Sequence, residues 1–207
     1  MKRVAGAPER YTPTVAELDE ARKRFLEYEP RDLFYRVASE LIELALTDKT
    51  SITVAEALAV LLQTWNAQYY QFRPFTLHHF ADIEALLQKH LDAALRFRSR
   101  GIESVSKSDL PIVESLFNSF EQVLGPVGAA KSLHLLAPSF FPLWDRAIAK
   151  AYRCELGKVG TNGANYSAFF LTAVLQARTL SPTMPEGANL LKRIDEYNYC
   201  KHTKGWM

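Results

Sequence analysis

From Leu124 to Gly157 the chain reads LGPVGAAKSLHLLAPSFFPLWDRAIAKAYRCELG. Gly125-Pro126 interrupts one helical pattern, and from about Ala129 a new apolar spacing begins with Lys131 near its start. A second break, Phe141-Pro142-Leu143-Trp144-Asp145, ends on an aspartate in N-cap position before Arg146. Glycines carry no Cβ, so a turn over Gly125, Val127, Gly128 and Ala129 can bring backbone N–H groups against a phosphate; the same residues also suit an ordinary interhelical turn. Lys131 and Asp145 pair an amine with a carboxylate inside one short helical unit, as nucleophile and electrostatic partner require. Each has a plainer reading, Lys131 as a solvated helix residue or phosphate contact and Asp145 as a simple cap.

Outward from this unit the apolar residues recur at helical spacing. Thr14 is placed to cap a helix through Leu18, Ala21 and Phe25 that Pro30 ends, and a second helix runs from Asp32 to about Thr47. A third spans Val54 to about Tyr70, a fourth Thr76 to Arg98, and Ser108-Asp109-Leu110-Pro111 puts an acidic cap and a first-turn proline before a fifth. Helices over about 129–136, 146–155, 166–178 and 188–199 follow, with a glycine-rich loop over 157–163. No strand alternation competes, so the expected class is all-α. Residues 1–13 read as a loose N-terminal arm and 14–207 as one globular unit.

The chain has 207 residues, 48% of them hydrophobic and 12% aromatic, which is enough to bury a sizeable core. Twenty-five Lys+Arg against 23 Asp+Glu leave a net charge of only +2, so affinity for nucleic acid must come from a local patch. Cys154 and Cys200 show no metal-ligand spacing, and no metal or other cofactor is expected. No apolar run has membrane-spanning length and the N-terminus lacks a signal pattern. The expectation is a reduced cytoplasmic monomer without membrane association, nucleoid-associated in a prokaryote.

Three segments together resemble the helix-hairpin-helix DNA glycosylases that carry a Gly-Pro-Asp loop, the superfamily of endonuclease III, MutY and the 8-oxoguanine glycosylases. Leu124–Gly128 followed by Lys131 is similar to the family's Leu-Pro-Gly-Val-Gly hairpin and its lysine, and Phe141–Ile148 resembles its Pro-Val-Asp step. Val60-Leu61-Leu62-Gln63-Thr64-Trp65-Asn66 looks like the early helix whose polar end fills the gap left by an extruded base. The likeness covers about residues 30–157. Gly and Pro are transposed, Ala130 stands where the lysine usually lies, the segment from Lys131 to Asp145 is short, and the iron–sulfur cysteines are absent. One residue of slip is about 100° of helix rotation, which bears directly on where Lys131 points.

The resemblance implies two packed helical subdomains with a helix-hairpin-helix over about 112–157 and a cleft between them, in an enzyme of base-excision repair bound to double-stranded DNA, with no iron–sulfur cluster. Asp145 would stabilise positive charge on the sugar, Lys131 would attack C1′ for a Schiff-base lyase step, and Gln63, Trp65 and Asn66 would fill the vacated stack. Arg146, with Lys150 and Lys158, would supply the basic surface. His134 shares a helix face with Lys131 and suits either a proton shuttle or a partly buried core position. Trp144 reads as core, and the tail from Ile194 to Trp206 as either a nucleic-acid surface or a docked helix end. A non-catalytic DNA-binding scaffold is the alternative function, and a helical protein–protein module the third.

Overall fold

A computed structural model describes residues 12–47, 49–185 and 187–207. In chain order its helices are α1 (Val15–Tyr28), α2 (Asp32–Leu46), α3 (Val54–Trp65), α4 (Ala67–Tyr70), α5 (Leu77–Leu95), α6 (Leu110–Leu136), α7 (Arg146–Ala151), α8 (Gly163–Leu180) and α9 (Leu190–Asn198), followed by a π-helical turn, Tyr199–Lys204. The described residues contain no strand, in agreement with the all-α expectation, and no described helix is long and apolar enough to cross a membrane. Most of the expected N-terminal arm lies outside the described residues; Pro13, at its end, is buried.

Local chemistry sets most helix starts. Thr14 and Thr53 each form a capping box, accepting from the N–H of Glu17 or Glu56 while that glutamate reaches back to the threonine N–H, and Thr76 caps α5. Asp109 does not cap α6 as expected. Arg100 takes its carboxylate at 2.8 and 3.1 Å and Ser106 N–H adds a bond at 2.8 Å; this pairing, with Arg100 the main cause, holds the carboxyl well below the usual range. The helix expected over 54–70 breaks at Asn66, whose backbone leaves helical geometry between α3 and α4. Helix α7 stops at Ala151 rather than 155, where Arg153 adopts a left-handed φ of 57°.

Helix α6 is two helical arms joined at Gly125, whose φ of 69° and ψ of 169° lie outside helical space. The second arm restarts at once from Pro126, whose missing N–H costs nothing at a first-turn position. The turn is therefore a one-residue kink rather than an extended hairpin loop. Gly125 and Gly128 are both buried. A Cβ on Gly125 would lie 2.7 Å from the Tyr69 ring, and one on Gly128 would press on Leu124, Asn66 and Leu62 at 3.0–3.4 Å. The two arms pack α6 against α5 and α8, while α2 packs on α3 and α1 on α9. Phe117, Phe120, Phe140, Phe141, Trp144 and Tyr166 fill the centre.

Gly125→Ala is expected to destabilise the fold by roughly 1–3 kcal/mol from backbone strain alone, with displacement of Tyr69 added. Chemical denaturation of Gly125→Ala with and without Tyr69→Ala separates the two contributions: the double variant regains only the steric part. An unchanged midpoint in the single variant would show that the kink is not required.

Candidate active site

The loop between α6 and α7 is anchored residue by residue. Phe140 stacks on Phe97 at 4.3 Å, and Ile102 N–H donates to Ser139 O at 2.8 Å. Tyr166 Oη donates to Pro142 O at 3.0 Å, and the His134 ring meets Phe141 O at 2.8 Å. Trp144 is buried against Phe117, Tyr166 and Phe169, as its core reading expects. The next residue, Asp145, is then held at the head of α7. Its Oδ1 accepts from Ile148 N–H at 2.8 Å and its Oδ2 from the Thr203 hydroxyl at 3.0 Å. The simple cap is present, and the carboxylate also faces an open cleft.

This cleft encloses about 960 Å³. Its lining comes from the α1–α2 junction, the α3–α4 junction, the start of the second arm of α6, α7 and the C-terminal turn. Val127 and Lys131, one turn apart on the second arm, both face it, whereas Ala129 and Ala130 are in the core. The register therefore directs residue 131, not 130, into the cleft that Asp145 also lines. Lys131 Nζ donates to Trp65 O at 2.5 Å and lies 4.5 Å from the centre of the Trp65 ring. Trp65 ends α3, so the cation caps a helix C-terminus. Burial lowers the Lys131 amine to about 8, with Asp195 and Asp145 drawing it partly back up.

Behind Trp65 lies a group of charges that sequence reasoning missed. Lys192 is buried, 3.1 Å from Asp32, 3.5 Å from Glu196 and 4.0 Å from Asp195, and 4.2 Å from the Phe25 ring centre. Asp195 lines the cleft, and burial raises its carboxyl to about 7 against the pull of Lys192. On the neighbouring wall Glu29 binds Arg31 at 2.7 and 2.8 Å and accepts from the Tyr199 hydroxyl. Burial alone would raise Glu29, but the bonds from Arg31 and Tyr199 prevail and hold it at about 2. The one available sequence signal was the helical spacing of Lys192, Asp195 and Glu196 on a predicted helix.

The remaining predicted residues divide between the cleft and other surroundings. Trp65, Asn66, Val127 and Arg146 line it, with Lys150 beside Arg146. Gln63 does not: it is exposed on α3, outside the lining, because two residues of helix turn it about 200° from Trp65. Gly125, Gly128 and Ala129 are buried, so the kink does not present them as an open phosphate-binding loop. Phe72 and Arg73 stand at the cleft instead, Phe72 83% exposed and Arg73 bonded to Tyr69 Oη at 2.8 Å. The tail is docked, with Cys200 and Tyr197 buried and Trp206 against Tyr28 and Tyr199. Among the described residues no group of three or more His, Cys, Asp or Glu is placed to hold a metal ion. Compared with known protein families, curated proteins and solved structures, the chain shows no match.

His134 does not line the cleft and takes the core position of its two readings. It is wholly buried, with Nδ1 on Phe141 O and Nε2 3.0 Å from Tyr35 Oη, and burial lowers it to about 4. The neutral ring donates from Nδ1 to the carbonyl and accepts the Tyr35 hydroxyl at Nε2. A histidine depressed in the folded state contributes stability above its unfolded value near 6.5 and loses it as pH falls toward 4; the full effect is about 3 kcal/mol. Asp195, raised to about 7, has the opposite slope, so the comparison must be between variants. Urea titrations of the native chain and His134→Gln should show the native advantage shrinking between pH 6.5 and 4. A constant difference across that range would contradict a neutral buried ring.

Proposed function

We propose that the chain is a DNA glycosylase with a Schiff-base lyase step, acting through Lys131 and Asp145. The observation that carries this reading is a partly buried lysine amine, lowered to about 8, facing the same cleft as an aspartate fixed at a helix start. An amine must be neutral to attack, and this shift leaves a usable fraction neutral near pH 7.5. The helix-hairpin-helix resemblance adds the substrate, and the kinked α6 with α7 is the segment that carries it. Phe72 and Arg73, at the cleft mouth, suit the space left by an extruded nucleotide. Arg73, Arg146, Lys150 and Lys204 line the cleft and suit the phosphates on either side.

In the reaction the Lys131 nitrogen forms a bond to C1′ as the glycosidic bond breaks, its electron pair leaving on the base. Asp145 offsets the positive charge that develops on the sugar. Cleavage of the C1′–O4′ bond, with the proton lost from nitrogen ending on O4′, then gives a protonated imine between Lys131 and C1′; loss of a C2′ proton to water and departure of the 3′-phosphate with the C3′–O electron pair complete the β-elimination. The non-catalytic scaffold keeps one observation in its favour: Lys131 already bonds Trp65 O, and both Asp145 oxygens already accept bonds within the protein.

Duplexes bearing single lesions, incubated with borohydride, should yield a covalent protein–DNA adduct that Lys131→Gln abolishes. Asp145→Asn should slow base release by roughly 100- to 1000-fold, the usual scale for one electrostatic group. Base release or adduct on no lesion, with salt-dependent duplex binding retained, would establish the binding scaffold instead. Absence of salt-dependent binding as well would remove DNA from the reading.

A further inference from the structure

Lys131 cannot act while it holds its proton, and the cleft offers few groups to receive it. Both oxygens of Asp145 are occupied, by Ile148 N–H and the Thr203 hydroxyl. Glu29 is occupied by Arg31 and Tyr199. His134 faces Phe141 O and Tyr35 on the core side. Asp195 differs from all three. It comes from α9, lines the same cleft as Lys131, and its contact with Lys192 is the longest of that lysine's three, 4.0 Å against 3.1 Å to Asp32 and 3.5 Å to Glu196. Lys192 therefore keeps two closer carboxylates when Asp195 changes charge.

We infer that Asp195 is the proton acceptor for Lys131, the two exchanging a proton by way of water in the cleft that both line. This rests on the glycosylase reading for its consequence. The proton passes from the Lys131 ammonium through cleft water to the Asp195 carboxylate, the freed amine pair forms the bond to C1′, and the departing base takes the proton from Asp195 with the electron pair of the broken glycosidic bond. The protein ends the step with both groups reset in charge: a neutral acid has given up its proton and the lysine nitrogen is bonded to carbon. Burial that raises Asp195 to about 7 and lowers Lys131 to about 8 brings the pair close enough for such an exchange to be cheap. The groups that face or couple to Asp195 are Tyr35 from α2, Lys131 from α6, Asp145 before α7, Lys192 and Glu196 from α9, and Cys200 from the π turn.

The sign of one variant separates this role from a merely electrostatic one. Asp195 draws the Lys131 amine upward. If it were only a fixed charge, Asp195→Asn would leave more neutral amine, and trapping on an abasic-site duplex with borohydride would be faster at pH 6. As proton acceptor its loss should slow trapping by roughly a hundredfold, with Asp195→Glu recovering part of the rate. Thermal midpoints of both variants check that the fold is intact.

A second measurement depends neither on activity nor on the Asp195 variants. In the free native protein, a carboxyl carbon resonance for Asp195 should titrate near pH 7, and in Lys131→Gln its midpoint should move upward because a cation is lost. Trapping by Asp195→Asn at or above the native rate would overturn the proposal, as would an Asp195 carboxyl that titrates in the ordinary range or ignores Lys131→Gln. Should the native protein form no adduct with any duplex, the glycosylase reading fails by itself, and the carboxyl titration still decides whether the two groups are coupled across the cleft.

Discussion

Much of the cleft geometry depends on the left-handed backbone at Gly125. The residue breaks α6 without a loop, and Tyr69 closes over the space where a side chain would be. With no loop residues to absorb rotation, the register of the second arm is set by the kink itself. Val127 and Lys131 then face the cleft while Ala129, Ala130 and Leu133 enter the core. The same register sends His134 inward to clamp Phe141, which in turn holds the loop that delivers Asp145. One glycine-only backbone conformation thus sets both members of the candidate pair, and their relative placement is a property of the packed core rather than of flexible surface segments.

The second organising element is the buried charge group on α9. A lysine with three carboxylates away from water is costly, and such groups seldom add net stability over apolar packing. Here the cost is lowered by an aromatic surround: Phe25 and Tyr35 put their faces 4.2 and 4.7 Å from the Lys192 nitrogen, and Trp65 lies at 5.8 Å. Glu196 also binds Arg22 of α1, and Arg193 binds Asp19 at 2.6 Å. These bonds tie α9 to α1 and α2 and thereby hold Asp195 against the cleft. Trp65 is shared by both systems, with Lys131 on one side and the Lys192 group behind it.

What could be read from the sequence was local. Thr14, Thr53-to-Glu56 and Asp145 start helices through bonds spanning three residues, and the two of these singled out beforehand lie where spacing put them. The apolar spacing gave the helical class for the same reason. Asp109 misled because its partner, Arg100, lies outside the helix it was expected to cap. Gln63 lies apart from its motif neighbours because a motif read as a string takes no account of rotation, and α3 turns that side chain out while Trp65 faces the cleft. Glu29, Arg31, Asp195 and Tyr199 could not be assembled at all, since they meet across some 170 residues of chain. Phe72 carried no signal beyond being an aromatic near a proline; its exposure is visible only in three dimensions.

The position of Lys131 sets two effects against each other. Capping the Trp65 carbonyl and facing the Trp65 ring favour the ammonium, each by up to about 2 kcal/mol in a partly buried setting. Desolvation disfavours it and prevails, since the amine lies below its ordinary range. The carbonyl contact does not depend on the outcome, because a neutral amine can still donate a hydrogen bond. Trp65 therefore fixes the position of the Lys131 nitrogen in either protonation state, while burial alone sets how readily the proton leaves.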